Sequence, residues 1–163
     1  MSRSPSAGRG PPVGRGGIAE AGEDALQTVV DETGLFPSEM LPEMLAPSLA
    51  GETEAFWLTC HLEGEAVGLC YTVPEELADR TWNMLALAVR PDLQGKRLGQ
   101  ALVQTAEAHL KEKRQRILIV DTSGTDDFAL TRTFYAQNGY GEEARIRDFW
   151  ADVDDKVVCR KTL

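Results

Sequence analysis

Two wholly apolar runs, Met84–Val89 and Ile117–Val120, bracket a single helix-patterned stretch at 98–114. A run with no polar face reads as a strand covered on both sides, which places it centrally in a sheet. Two such strands joined by one helix form a βαβ unit, so they run parallel with a right-handed crossover. The chain is therefore predicted to be α/β, a central sheet flanked by helices. Its ligand crevice is expected at the carboxyl ends of these strands, around Val89, Gln94 to Gly99 and Asp121. The link between the first strand and the helix is chemically specific. Pro91 has no N–H for a ladder and disfavours helix at Arg90, so the strand stops there. Gln94-Gly95-Lys96-Arg97-Leu98-Gly99 then leads straight into the helix. A strand, a glycine turn and a helix amino terminus make an anion site, because the unpaired N–H groups of the first turn and the helix dipole both favour a phosphate. Lys96 and Arg97 add formal positive charge.

With 163 residues, 42% of them apolar, the chain is long enough for one domain with a proper core. Its formal charge of -9 and pI near 4.7 argue against nucleic acid as the main partner, which needs a basic surface. Cys60, Cys70 and Cys159 are odd in number and form no CxxC, so neither a disulfide framework nor a metal site is indicated. Three reduced thiols point to the cytoplasm. No apolar run approaches the length that spans a membrane.

The remaining chain reads as follows. Residues 1–22 are Gly, Pro, Ser and Arg with almost nothing apolar, which predicts a disordered tail and leaves 23–163 as the single domain. No strand is visible ahead of the first helix. Ala25, Leu26, Val29 and Val30 predict a helix over 23–33 that stops at Gly34. Met40, Leu41, Met44, Leu45 and Leu49 form a second stripe over 38–49, with Pro42 suited to a first turn. Ala55 to Leu62 alternates Phe56, Leu58, Cys60 and Leu62 against Trp57, Thr59 and His61, and pairs with Val67 to Val73 across Glu63-Gly64 in a hairpin. His61 is expected on the solvent or substrate side. The central helix should bury Leu98, Ala101, Leu102, Thr105, Ala106 and Leu110. Residues 121–125 form a polar turn able to cap a helix over 126–138, which ends at Gly139. Residues 143–150 and 156–162 make a closing hairpin around 152–155.

Val89-x-Pro91-x-x-Gln94-Gly95-x-x-x-Gly99 resembles the acetyl-CoA pyrophosphate loop of the GNAT N-acetyltransferases, with Arg97 where that pattern has a glycine. If the loop needs a positive φ there, Arg97 is strained by roughly 1 kcal/mol. Phe134-Tyr135-Ala-Gln-Asn-Gly139-Tyr140 is similar to the second signature of the same family, in the right order and spacing. A dinucleotide fold fits less well, because GxGxxG is absent. The resemblance implies a GNAT-like acyl-CoA N-acyltransferase fold with a mixed sheet. It implies acetyl-CoA as co-substrate, held by Leu87, Ala88, Val89, Gln94, Gly95, Lys96, Arg97, Leu98, Gly99 and Gln100, with no metal. It also implies Tyr135 as the catalytic acid. Where the family often carries an asparagine, the chain has Phe128, so a hydrogen bond from there is absent or comes from Thr122, Ser123 or Thr125.

Acyl transfer from a thioester to an amine needs a bound donor, a deprotonated amine and an acid for the leaving thiolate. The loop supplies the first, and the backbone of Val89 would polarise the carbonyl. A free tyrosine has a pKa of about 10, so Tyr135 keeps its proton at neutral pH and can donate it. Glu75, Glu76, Asn83 and Asp148 are the candidates for the base. Neither Cys70 nor Cys159 has a paired histidine, which favours direct attack without a covalent intermediate. The acceptor is expected to be a small-molecule amine or a protein amino group, bound by the first two helices and the last hairpin. By analogy with the family, a homodimer would form through Arg145 to Trp150. The competing reading is a CoA-binding regulatory or scaffold module that keeps the fold without turnover.

Overall fold

A computed structural model describes residues 13–15 and 22–163. Its strands are β1 (Val13–Arg15), β2 (Phe56–Leu62), β3 (Glu65–Pro74), β4 (Thr81–Val89), β5 (Ile117–Ser123), β6 (Gly141–Ala151) and β7 (Asp154–Thr162). Its helices are α1 (Glu23–Thr33), α2 (Leu41–Leu49), α3 (Leu98–Glu112) and α4 (Ala129–Gln137), with short 3-10 turns at Ser38–Met40, Pro91–Leu93 and Asp126–Phe128. One seven-stranded sheet runs β1-β2-β3-β4-β5-β7-β6. Only the β4–β5 pairing is parallel. The predicted mixed sheet with a βαβ unit is thus present.

Two hydrophobic clusters hold helices to opposite faces. Leu98, Leu102, Val103, Ala106 and Leu110 of α3 pack on Leu58, Cys70, Trp82, Met84, Leu118 and Val120, and α4 adds Tyr135. On the other face Leu26, Val29 and Val30 of α1 and Leu41 and Leu45 of α2 cover Trp57, Leu69, Ala86 and Ala88. Burial of these side chains, at roughly 25 cal/mol per Å² of apolar surface, is what keeps the layers together. Gly34 ends α1 with φ 62°, and Pro42 occupies the first turn of α2. The β2–β3 hairpin turns through Glu63 (φ 52°) and Gly64 (φ 84°). Two successive left-handed residues are what a two-residue hairpin of this twist requires.

Several expectations are corrected. Val13–Arg15, inside the stretch read as a tail, pairs antiparallel with Cys60, Thr59 and Leu58 as a strand ahead of the first helix. Residues 1–12 and 16–21 lie outside the described residues. The alternation in β2 does not separate core from solvent, because Trp57 and Thr59 are as buried as Leu58 and Cys60. His61 follows a register shift at Cys60/His61 and is part-exposed. The buried stripe of α3 takes in Val103, Glu107 and His109 in place of Ala101 and Thr105. Strand β5 continues to Ser123, so 121–123 are strand and not turn. Neither does the polar turn cap a helix by side chain; Ser123 Oγ instead accepts from the Thr125 N–H at 3.1 Å. In the last hairpin, the β6–β7 ladder is interrupted between Ile146 and Ala151, and Phe149 and Trp150 are carried out of it.

Candidate functional site

Strand β4 organises the site because it leaves its neighbour. It pairs with β5 only at Thr81↔Ile117, Trp82↔Leu118 and Asn83↔Ile119 among the described residues. Beyond that the strands part, while β5 keeps its far edge paired with β7 along its whole length. At the point of parting β4 carries a bulge. Tyr71 opposes Ala86 and Thr72 opposes Met84, which leaves Leu85 as the extra residue. Leu85 is 54% exposed, so the apolar run is not covered on both sides throughout.

The bulge and the ladder aim backbone groups into the gap. The Arg90 N–H donates to Val67 O at 2.9 Å, and Gly68 stands opposite Val89. In an antiparallel ladder hydrogen-bonded and non-bonded pairs alternate. The N–H and C=O of Val89, and those of Leu87 two residues earlier, therefore point away from β3 into the space that β5 has vacated. Gln94 Nε2 donates to Val89 O at 3.4 Å and ties the loop back to the strand end.

The loop itself has the conformation that anion binding requires. Gly95 has φ 82°, and Arg97, the cap residue of α3, has φ 62°. The arginine does adopt the left-handed region, at a cost of about 1 kcal/mol that a glycine would not incur. Fifteen residues of α3 stand behind its amino terminus, so its dipole and free N–H groups face the same space as Arg97.

A cavity of about 520 Å³ lies here, a size suited to a drug-sized or cofactor ligand. Of the residues predicted to hold a cofactor, Leu87, Val89, Gln94, Gly95, Arg97, Leu98, Gly99 and Gln100 line it, and so does Tyr135. Ala88 and Lys96 do not. The Ala88 side chain is buried against the α1–α2 layer, because neighbours on a strand point to opposite faces. Lys96 is exposed at the loop tip. Asp121 also lies off the cavity, on the other face of β5. The opposite wall was not foreseen: Leu130, Thr131, Phe134 and Asn138 come from one side of α4. Their i, i+4 spacing beside the second signature was the available signal. A Cβ on Gly99 would sit in ordinary contact with the wall, 3.5 Å from the Phe134 ring and 3.9 Å from Val89 Cγ2. A ligand with phosphates at the α3 terminus and an extended, partly apolar arm along β4 fits these residues.

Tyr135 is 5% exposed and packs edge-on against Phe134 and Tyr140. Burial pushes its hydroxyl well above the ordinary tyrosine range, helped by Cys70 and Cys159 nearby. Tyr140 is shifted the same way, by burial and then by Glu107, to which it donates at 2.8 Å. Glu107 also takes Lys161 Nζ at 3.0 Å, and Lys161 donates to Asn138 O at 2.8 Å, which ties α3, the end of α4 and β7 together. Burial raises the thiols of Cys60 to about 11 and Cys70 to about 12, and also raises Cys159, so none is a thiolate at neutral pH.

The base candidates separate. Asn83 donates from Nδ2 to Glu75 Oε1 at 2.9 Å and to Asp121 Oδ2 at 3.5 Å. Glu76 is exposed, and Asp148 accepts the Val153 N–H at 2.8 Å within its own hairpin. Thr122, Ser123 and Thr125 do not reach the cavity: Ser123 and Thr125 share a hydrogen bond at 2.9 Å, Ser123 donates to Asp154, and Thr122 is buried. Phe128 is 44% exposed beside them. No group that could hold a metal occurs among the described residues, and no helix there is long and apolar enough to cross a membrane.

No curated protein matches the chain. Solved structures do. A GNAT-family protein from Desulfovibrio desulfuricans superposes with a TM-score of 0.81 at 26% identity, covering 93% of this chain and 98% of that one. The ribosomal-protein-S18-alanine N-acetyltransferase of Escherichia coli has a TM-score of 0.74 at 15% identity, covering 93% and 92%. The PaiA N-acetyltransferase of Thermoplasma acidophilum, solved in complex with coenzyme A, has a TM-score of 0.71 at 16% identity, covering 93% and 99%. The last two likenesses speak to the fold alone. Residues 24–140 match the family described as Acetyltransferase (GNAT) family, a family of N-acetyltransferases, and the chain belongs to it.

Proposed function

We propose that the protein transfers an acetyl group from acetyl-CoA to a primary amine by direct attack. The observation that carries this reading is the parting of β4 from β5, with the Leu87 and Val89 backbone turned into the gap between the α3 terminus and Tyr135. Gly95, Arg97 and the first turn of α3 would hold the phosphates, while Leu87, Val89 and Phe134 would line the arm. Acetyl-CoA supplies the activated acetyl group. The reaction forms a C–N bond and breaks the thioester C–S bond; the acceptor ammonium sheds a proton to water before attack, and the leaving sulfur gains one that solvent returns to its donor. The Val89 N–H is suited to stabilise charge on the carbonyl oxygen. Tyr135, kept protonated by burial, is suited to donate to the departing sulfur. An alanine of a ribosomal protein and an aminoglycoside are the acceptors named for two proteins with this fold, and an amine is what they share. The cytoplasm suits three reduced, buried cysteines. A homodimer would use β6, the uncovered edge strand.

Thermal unfolding with acetyl-CoA, CoA and NAD tests the donor. A site filled to about 100 times its Kd stabilises the fold by roughly 2.7 kcal/mol, or about 5–10 °C for a domain of this size. Both CoA compounds should shift the midpoint and NAD should not. Tyr135→Phe should then lower kcat roughly 100-fold with the acetyl-CoA shift retained. A shift unaccompanied by thiol release with any amine would support the CoA-binding module without turnover.

A further inference from the structure

The face of the sheet away from α3 carries a second polar site at the same gap. Trp82, Met84, Val120 and Val157 point to the α3 side, so Asn83, Asp121 and Lys156 point to the other. The α1–α2 layer covers β2 to β4 on that face, and among the described residues its hydrophobic cluster includes none from β5, β6 or β7. At its border Asn83 Nδ2 bridges Glu75 and Asp121, and Lys156 Nζ lies 3.2 Å from Asp121 Oδ2. Asn83 is 5% exposed, yet its Oδ1 has no hydrogen-bond partner among the described residues, and neither has Asp121 Oδ1. A buried oxygen without a donor is destabilising relative to one that has a donor, so the cluster gains from an N–H supplied from outside.

The surroundings limit what can supply it. Glu75 and Asp121 against Lys156 leave one formal negative charge, which one ammonium balances. Arg160, opposite Ile119 in the next row of the same face, opposes a second cation. The Phe149 ring lies 4.5 Å and the Trp150 ring 6.0 Å from Lys156 Nζ, and both residues are about half exposed, as is Leu85 at the bulge. Beside Lys156, these apolar surfaces are about half open to solvent.

We propose that Asn83 and Asp121 are the acceptor-binding residues of the acetyltransferase and that its acceptor is a primary monoamine carried on an aromatic or apolar body. Glu75 is a positioning residue that orients Asn83, and Phe149 and Trp150 form the wall against which the body lies. This inference rests on the acetyl-transfer reading above.

The test is amine-dependent thiol release at saturating acetyl-CoA with phenethylamine, propylamine and spermidine. Phenethylamine should exceed spermidine in kcat/KM by about tenfold or more. Asp121→Asn should raise the KM for phenethylamine about tenfold and leave the KM for acetyl-CoA in place. Because Asp121 also holds Lys156, the variant is checked by its thermal midpoint. Phe149→Ala, at a half-exposed position, gives an independent readout and should narrow the phenethylamine-to-propylamine ratio about fivefold. Spermidine as the better acceptor, or a phenethylamine KM unmoved by Asp121→Asn in the folded variant, overturns the assignment while an acetyl-CoA shift leaves the donor reading standing. Absence of that shift removes the donor reading and this one with it.

Discussion

The two halves of the sheet are built differently. From β2 to β4 both faces are covered, by α3 on one side and by α1 and α2 on the other. In β5 and β7 only the α3–α4 side is covered, and every residue of β6 is exposed. Strand β4 is the border, and it is where the bulge, the backbone turned into the gap and the Asn83 cluster occur. The covered half supplies rigidity, and the half-covered one supplies access from the side opposite the loop. Under the proposed transfer, with the donor on the loop side and the amine on the open side, both are needed.

The sharpest way to break this comparison is to truncate one side chain in each half. Leu102, fully buried on α3, should cost about 3 kcal/mol as Leu102→Ala. Ile146, 48% exposed on β6, should cost about 1 kcal/mol or less as Ile146→Ala. Urea unfolding of both variants checks it, and equal losses would mean that the open face is covered in solution, by a second copy or another partner.

Alkaline titration sharpens the same contrast. Cys70, in the covered half, holds its thiol proton to about pH 12, whereas its ordinary value is 9.0. Because the folded value is raised, the stabilisation is complete below about pH 9 and is lost as pH climbs toward 12. The midpoint of thermal unfolding should fall over this window, and Cys70→Ala should flatten the slope. A slope unchanged by the substitution would show that other groups dominate the alkaline limb.

The smallest expected effect lies in the loop at the border. Arg97→Gly relieves a left-handed arginine and should stabilise the free protein by up to about 1 kcal/mol, or about 3 °C. The same change removes a cation from the proposed phosphate site, so the acetyl-CoA shift should shrink. If both quantities fall, the arginine is held in place by contacts that repay its strain.

Much of this was legible from the chain. The apolar runs, Pro91 and the glycine loop located β4, α3 and the cavity, and the second signature located Tyr135. Those features are local: each depends on side-chain periodicity or on one backbone preference within a few residues. What escaped notice depends on partners distant in sequence. Val13–Arg15 is a strand because β2 offers it an edge, although Gly and Pro surround it. Trp57 and Thr59 are buried because α1 and α2 lie over β2, which alternation within β2 cannot reveal. The wall from α4 required knowing which side of that helix faces β4.

The sequence by itself determined the order of the elements from α1 onward, the strand-loop-helix proposed as an anion site, and the strain on Arg97 if its backbone angle is positive, because sterics and periodicity act over short spans. The parting of β4 from β5, the bulge at Leu85 and the meeting of Glu75, Asn83, Asp121 and Lys156 were decided only by tertiary structure. Each depends on how β4 pairs with β3 on one edge and β5 on the other while β5 pairs along its length with β7, partners that lie far apart in the sequence.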